Sequence, residues 1–264
     1  MNEEGGTEMI PVVVRKVKIG EGIPKICVPI VGRTETEILG QARLIRNLPA
    51  DIVEWRADWY QEVFDWEKMR RVLSQLRKIL DDIPILFTFR TSMEGGEMEI
   101  GDQEYLQLNQ KVAETEFVDL IDVEVFSKKS VAKDVIDYAR MRNICVIASN
   151  HDFVKTSRKE ELITTLQEME RSGADILKIA VMPTCEADVE TLLDATKEMA
   201  EKTEKPLITM SMSKLGEISR TTGERYGSAV TFGTAGEASA PGQIPVRELK
   251  MRLEEFHEPQ IKKG

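Results

Sequence analysis

Lys178 lies at the centre of Ala174-Asp175-Ile176-Leu177-Lys178-Ile179-Ala180-Val181-Met182, an apolar run that reads as a buried strand. Burial disfavours the ammonium form of a lysine and lowers its pKa, and a lysine that is partly neutral is a nucleophile. Side chains alternate across a strand, so Ile176, Lys178, Ala180 and Met182 share one face and Leu177, Ile179 and Val181 the other. Taken alone, Lys178 could equally be half of a core ion pair. The polar residues on the other apolar runs decide between the two.

Those runs end in charge. Glu54-Trp55-Arg56 puts Glu54 and Arg56 on one face; Thr88-Phe89-Arg90 ends another run; Asp122 and Glu124 share a face of a third; Ser149-Asn150-His151-Asp152 closes a fourth. Alternation turns these residues inward while Val53, Trp55, Phe87, Phe89, Ile121 and Val123 face outward. Counting Lys178, six charged side chains then converge, more than a core normally tolerates. Structural explanations exist for each: Glu54 could pair with Arg56, and Asp122 and Glu124 are best explained as anchors for Lys178 or a loop. His151, one of two histidines, is placed at a strand end to move protons near neutral pH. In the loop Thr91-Ser92-Met93-Glu94-Gly95-Gly96-Glu97, the glycines permit a tight path that brings Glu94 to the imidazole, where a carboxylate would orient the ring and raise its pKa. Arg220, with its planar fork, suits a carboxylate or a phosphate. The small-residue stretch Gly236 to Ile244, carrying Ser239 and Gln243, suits a lid that hydrogen-bonds a ligand.

These residues must be held by a regular scaffold, and the chain supplies one. Apolar runs of strand length occur at Ile26–Val31, Asp51–Ala57, Pro84–Arg90, Phe117–Val125, Asn143–His151, Ala174–Met182, Pro206–Met212 and Val230–Ala235. Between them lie helical patterns at about Glu35–Asn47, Asp65–Leu80, Asp102–Glu114, Lys128–Met141, Ser157–Arg171 and Glu186–Glu201, then Leu215–Thr222 and Val246–Phe256. Strand and helix in strict alternation mean parallel strands with crossover helices. Repeated through the whole chain, with no Gly-rich dinucleotide fingerprint after the first run, this favours an α/β fold of the (β/α)8 TIM-barrel kind, in which chemistry sits at the C-terminal strand ends. No Pro-, Gly- or Ser-rich linker divides the chain, so residues 1–264 are expected to form one barrel domain. Met1–Gly6 is expected to fray. Val12-Val13-Val14 and Val17-Lys18-Ile19, within an N-terminal extension of about residues 1–22, are expected to form a hairpin closing one end.

The net charge of −10, with both signs interspersed, argues against nucleic acid or a membrane surface as the partner. Cys27, Cys145 and Cys185 lack metal or redox spacing, which suits a reduced cytoplasmic protein without a bound metal. No apolar run approaches the roughly 20 residues of a membrane span, and no signal segment opens the chain.

Glu54-Trp55-Arg56, Phe89-Arg90-Thr91 with Glu94-Gly95-Gly96, Ser149-Asn150-His151-Asp152-Phe153, Ala174 to Lys178, Ile218-Ser219-Arg220 and Ala238 to Gln243 together resemble type I 3-dehydroquinate dehydratase. The resemblance runs from about Lys25 to Leu253, in order. It implies a (β/α)8 lyase of the shikimate pathway, usually a homodimer, that converts 3-dehydroquinate to 3-dehydroshikimate without a metal or other cofactor. In that family the lysine matching Lys178 forms a Schiff base with the substrate ketone, the histidine matching His151 shuttles protons, and the glutamate matching Glu94 supports it. Residues matching Glu54, Arg56 and Arg90 meet substrate hydroxyls; those matching Arg220, Ser239 and Gln243 bind the carboxylate side, with Met212 and Phe232 as apolar walls. A Schiff-base barrel of the aldolase type acting on a sugar phosphate is the nearest rival. A binding barrel without turnover would leave Lys178 and His151 idle.

Overall fold

Residues 7–236 and 239–261 are described in the computed structural model. Met1–Gly6, where fraying is expected, lie outside them, as do Glu237 and Ala238 of the small-residue stretch and residues 262–264.

Strands β1 (Val12–Val14) and β2 (Val17–Ile19) form the expected antiparallel hairpin, with Val12 opposite Ile19 and Val14 opposite Val17. Its inward residues Val14 and Ile19 are buried against Cys27, Ile52, Leu86, Leu120, Ile147, Ile176, Ile208 and Val230, so the hairpin plugs one end of the main sheet.

That sheet is built from β3 (Lys25–Ile30), β4 (Ile52–Arg56), β5 (Ile85–Thr88), β6 (Leu120–Glu124), β7 (Cys145–Asp152), β8 (Ile176–Val181), β9 (Leu207–Ser211) and β10 (Val230–Thr234). They pair in parallel in chain order from β3 to β9, and β10 returns to pair with β3. The ring closes between β9 and β10, where the ladder narrows to a single bridge: Leu207 stands opposite Ser228, the Ala229 N–H donates to Leu207 O at 2.7 Å, and the Thr209 N–H donates to Ser228 Oγ at 3.1 Å. A two-residue strand, β11 (Ile244–Pro245), continues the sheet beside Gly233 and Thr234 and ties down the end of the preceding loop.

The crossovers are α1 (Glu35–Ile45), α2 (Trp66–Leu80), α3 (Asp102–Ala113), α4 (Ala132–Met141), α5 (Lys159–Arg171), α6 (Glu186–Ala200), α7 (Glu217–Thr222) and α8 (Val246–Ile261). Local sequence explains their starts: Thr34 accepts from the Glu37 N–H while the Glu37 carboxylate accepts from the Thr34 N–H, and Asp65 caps α2 through the Lys68 N–H. Helix α2 buries Met69, Val72, Leu73, Leu76 and Leu80, one stripe at helical spacing. Helix α4 begins later than the sequence pattern suggests, because the Lys128 ammonium turns inward to Ile100 O at 2.7 Å and to Asp102 Oδ1 at 3.2 Å and holds the preceding residues in a turn. No helix among the described residues is long and apolar enough to cross a membrane.

Alternation along the strands divides two cores. Val53, Trp55, Phe87, Ile121, Val123, Leu177 and Ile179 face outward into the layer shared with the helices. Inside, a girdle of Ile52, Leu86, Leu120, Ile147, Ile176 and Ile208 fills the end near the hairpin. One pleat further along the same face come Glu54, Thr88, Asp122, Ser149 and Lys178, all buried. An apolar floor under a polar, ionic storey is what a barrel needs to hold charged groups away from water without collapsing onto them.

Candidate active site

Lys178 is 3 % exposed, and its Nζ donates to Asp122 Oδ2 at 3.1 Å, with Glu54 Oε1 at 3.9 Å and the Phe232 ring centroid at 4.7 Å. Register accounts for this: Ser149 stands beside Lys178 in β7 and Ile208 beside it in β9, so the ammonium meets polar groups on one side and an apolar wall on the other. Asp122 is the hub. Its Oδ1 accepts from Arg90 Nη2 at 2.8 Å and from Ser149 Oγ at 2.6 Å. Burial alone would push its carboxyl up, but Arg90, Lys178 and the Ser149 hydroxyl outweigh that and hold it down to about 2. Glu124 ties Arg90 to the next loop: its Oε1 accepts from Arg90 Nη1 at 2.9 Å and from the Thr91 N–H at 2.8 Å, and its Oε2 from Thr91 Oγ1 at 2.6 Å. Asp122 and Glu124 are thus the anchors expected, one for Lys178 and one for a loop.

That loop, Thr91 to Glu97, folds back so tightly that a Cβ on Gly96 would lie 1.9 Å from Arg90 O, which only glycine avoids. The turn delivers Glu94 to His151. Glu94 Oε2 accepts from the His151 backbone N–H at 3.0 Å and lies 2.9 Å from its Nδ1, while Ser127 Oγ donates to Oε1. Burial pushes the Glu94 carboxyl up to about 7, Arg90 opposing and Glu124 adding to the shift. His151 moves the other way from the sequence expectation. Burial first, then the cations of Arg90, Lys178 and Arg56, push the imidazole well below its ordinary value. A neighbouring carboxylate does not raise it, because burial and three converging positive charges together outweigh it.

Arg56 does not pair with Glu54. Its Nε and Nη2 grip Asp58 at 2.8 and 2.7 Å, and its Nη1 lies 3.5 Å from Ser239 O; Glu54 instead accepts from Thr88 Oγ1 at 2.9 Å. Asp58 is the residue that sequence reasoning missed, since an acid two residues after Arg56, just past a strand, reads as an ordinary loop carboxylate. Ser127 was missed for a similar reason.

Lys178, His151, Glu94, Glu54, Arg56, Arg90, Met212, Phe232, Ser239 and Gln243 all line one cavity of about 40 Å³, together with Gly95, Phe153, Ala180, Met210 and Ala240. Ser239 and Gln243 satisfy each other: the Ser239 N–H donates to Gln243 Oε1 and Gln243 Nε2 to Ser239 Oγ, both at 3.0 Å. Arg220 is the exception. It is 1 % exposed and set behind the wall, with Nη2 donating to Pro241 O at 3.1 Å and Nη1 lying 3.5 Å from Phe232 O and 3.6 Å from Met210 Sδ. Its Nε has no partner and no carboxylate forms an ion pair with it among the described residues. Burial lowers its pKa to about 10. The Pro241 carbonyl that holds it belongs to the small-residue stretch, which is itself bound down where Gly242, at φ 80°, passes so close to Ser213 that a Cβ would fall 2.2 Å from Ser213 O.

An amine and an imidazole–carboxylate pair gathered at the C-terminal ends of parallel strands, with the buried Arg220 guanidinium behind them, form the polar centre of a (β/α)8 barrel enzyme. The family profile described as type I 3-dehydroquinase matches residues 26–260. The chain is 54 % identical over 246 residues to the 3-dehydroquinate dehydratase of Clostridium botulinum (strain Eklund 17B), covering 93 % of this chain and 97 % of that protein. It is 49 % identical to the 3-dehydroquinate dehydratase of Listeria monocytogenes serotype 4b over 94 % of this chain and 99 % of that one. Among solved structures, type I 3-dehydroquinate dehydratase from Clostridium difficile, solved with covalent modified comenic acid, matches at 46 % identity and a TM-score of 0.92, covering 95 % of this chain and 99 % of its own. The chain belongs to the type I 3-dehydroquinase family and is a lyase, the family's reaction being the dehydration of 3-dehydroquinate in the shikimate pathway.

Proposed function

We propose that the chain dehydrates 3-dehydroquinate to 3-dehydroshikimate through a Schiff base at Lys178, with His151 as the acid–base group. The observation that carries this reading is the presence of Lys178 Nζ and the His151 ring on one cavity wall system, with Nδ1 of His151 already engaged by Glu94. With Nδ1 bound, Nε2 is the nitrogen left for substrate. Lys178 passes one ammonium proton to His151 and attacks the ketone carbon as the neutral amine; the resulting oxygen takes a second proton from the attacking nitrogen and the first back from His151, and leaves as water to give a protonated imine. His151 Nε2 takes a proton from the carbon next to the imine, and the C–H electron pair moves to the imine nitrogen as an enamine. The pair returns to expel the β-hydroxyl, which departs as water with the proton from His151. Water then adds to the conjugated imine and releases the enone and the Lys178 amine. Without the imine, a proton next to a ketone is too weakly acidic for an imidazole to remove quickly.

In this reading Glu54, Arg56 and Arg90 shape the pocket for substrate hydroxyls, Met212 and Phe232 form apolar walls, Ser239 and Gln243 receive the carboxylate, and Arg220 joins them by giving up its contact with the Pro241 carbonyl. Arg90 contributes mainly through shape and field, since its guanidinium donates to Asp122, Glu124 and Ser149. Ser239 and Gln243 would exchange their mutual hydrogen bonds for the ligand. The covalent modified comenic acid of the C. difficile relative is in keeping with a nucleophilic group in such a barrel. The aldolase reading loses its ground because the relatives that match nearly the full chain are dehydratases. A homodimer, a cytoplasmic location and action without a metal complete the reading.

Borohydride with 3-dehydroquinate, followed by mass spectrometry of the digest, tests the proposal. A reduced adduct on the Lys178 peptide is expected, and Lys178→Ala should lose both adduct and turnover. A label on another peptide would overturn the assignment, and loss of activity with chelators would bring back a metal.

A further inference from the structure

Asp58 is fully buried, at 0 % exposure, yet it does not appear among the residues that line the cavity. A carboxylate taken wholly out of water must be matched by donors, and Asp58 has four from three separate stretches of chain. Oδ1 accepts from Arg56 Nε at 2.8 Å and from the Arg90 N–H at 3.3 Å; Oδ2 accepts from Arg56 Nη2 at 2.7 Å and from the Glu97 N–H at 3.2 Å. The bidentate grip takes one edge of the Arg56 guanidinium and leaves Nη1 facing the cavity and Ser239 O. The other two bonds go to the two ends of the tight loop that presents Glu94 to His151. One carboxylate therefore joins the direction of a pocket guanidinium to the position of the acid–base pair.

We infer that Asp58 is a positioning residue for the dehydration proposed above, on which this inference rests: it aims Arg56 into the cavity and clamps both ends of the Arg90–Glu97 loop so that Glu94 stays buried against His151. The groups that face Glu94 are Arg90 just past the end of β5, Ser127 from the turn after β6 and His151 from β7, with Asp122 and Glu124 of β6 further in. All of them keep their side-chain charge when Asp58 is replaced, and only Arg90 loses a bond, that of its backbone N–H. A shift in the pH dependence would then come from loosening of the loop, which lets water reach Glu94 and returns its carboxyl toward the ordinary range.

Asp58→Asn keeps the volume but turns an amide N–H₂ toward one pair of donors, so half the grip is lost. With 3-dehydroquinate as substrate, KM should rise by roughly tenfold or more, the scale of one charge-assisted hydrogen bond, and the acid limb of kcat/KM should move to lower pH. In an Arg56→Ala background, Asp58→Asn should no longer raise KM, because that part acts through Arg56, while the limb should still move, because that part acts through the loop. Should Asp58→Asn yield no folded protein, Asp58→Ser, smaller and able to admit a water, carries the same comparison. A folded variant with reduced thermal stability but unchanged KM and limb would overturn the inference, leaving Asp58 a purely structural group. Borohydride labelling keeps the two readings apart: no label on Lys178 in the unsubstituted protein removes the proposed function and this role with it, whereas a labelled Asp58→Asn protein with unmoved KM and limb removes this role alone.

Discussion

Glu94 Oε2 meets His151 twice, accepting its backbone N–H at 3.0 Å and standing 2.9 Å from its Nδ1, so the loop after β5 is locked to the end of β7 through one oxygen. With the Nδ1 proton directed at the carboxylate, Nε2 keeps its lone pair. A protonated Glu94 no longer stabilises the charge that develops on the ring when His151 takes a proton. Three nearby cations already disfavour that charge. The pair titrates as a unit, so its behaviour is best followed as a limb of the pH profile.

The Glu94 carboxyl sits at about 7, so kcat/KM should fall as pH drops through about 7. Glu94→Gln removes that ionisation, and the limb should move to lower pH, where the imidazole itself takes up a proton. Its limiting rate should lie between that of the unsubstituted protein and that of His151→Ala, which should lose the roughly 10²- to 10⁴-fold typical of a missing acid–base group. His151→Ala should still accumulate an imine on Lys178. An unmoved limb in Glu94→Gln, read from kcat/KM over roughly two pH units either side of neutrality, would place the titration elsewhere.

The same shift makes Glu94 a cost to stability. Its folded value of about 7 lies above the unfolded carboxylate range, so the folded state binds the extra proton between the two. The neutral form's contribution is present in full below the unfolded value and is lost as pH rises through about 7. At about pH 8 the ionised, buried carboxylate should cost roughly 2–4 kcal/mol. Glu94→Gln, a neutral mimic, should therefore show a higher urea midpoint than the unsubstituted protein at about pH 8, with the gap closing by about pH 4. Equal midpoints on the alkaline side would mean that Glu94 is not strained.

The alternation of strand and helix is legible because periods of two and of about 3.6 residues look different: six barrel strands fall within the apolar runs, while β3 begins one residue before its run, at Lys25, and β7 ends one residue past its run, at Asp152. Lys178, Asp122 and Glu124 are legible for a related reason: charge inside an apolar strand is conspicuous. Asp58 and Ser127 follow strands, where polar residues are ordinary, and only the folded path brings them to Arg56 and Glu94. The downward shift of His151 comes first from burial and then from Arg90, Lys178 and Arg56, which lie far away in the chain, so a local motif suggests the opposite sign. Likewise, Lys128 delays α4 through contacts with Ile100 and Asp102, and no helix propensity records that.

Arg220 lies behind Phe232 and Pro241 with an unpartnered Nε, a buried cation that forms no ion pair among the described residues, Glu217 acting on it only from a distance. Such a group destabilises the free protein and gains its counter-ion from a ligand. Arg220→Met should therefore raise the melting temperature of the unliganded protein while weakening binding of 3-dehydroquinate by roughly 2–5 kcal/mol. Arg220→Lys should recover part of the binding, since a point charge lacks the fork. Calorimetry with and without substrate reads both effects. Normal substrate binding by both variants would put the carboxylate elsewhere.

Asp122 carries the opposite sign from Glu94. Its folded value of about 2 lies below the unfolded one, so its contribution is present above about pH 4 and is lost as pH falls toward about 2. The shift corresponds to roughly 2 kcal/mol, and breaking a buried pair outright costs about 3–5 kcal/mol. Asp122→Asn keeps the shape and one acceptor but leaves Arg90 and Lys178 short of one negative charge, so its loss at about pH 7 should fall between about 2 and 4 kcal/mol. In the unsubstituted protein that charge disappears anyway as the pH drops. Urea midpoints of the two proteins should therefore differ clearly near neutrality and converge between about pH 4 and about pH 2. A gap that persists undiminished at low pH would mean that Asp122 stabilises the barrel by packing, and that the ionic hub around Lys178 rests on Glu124 and Glu54.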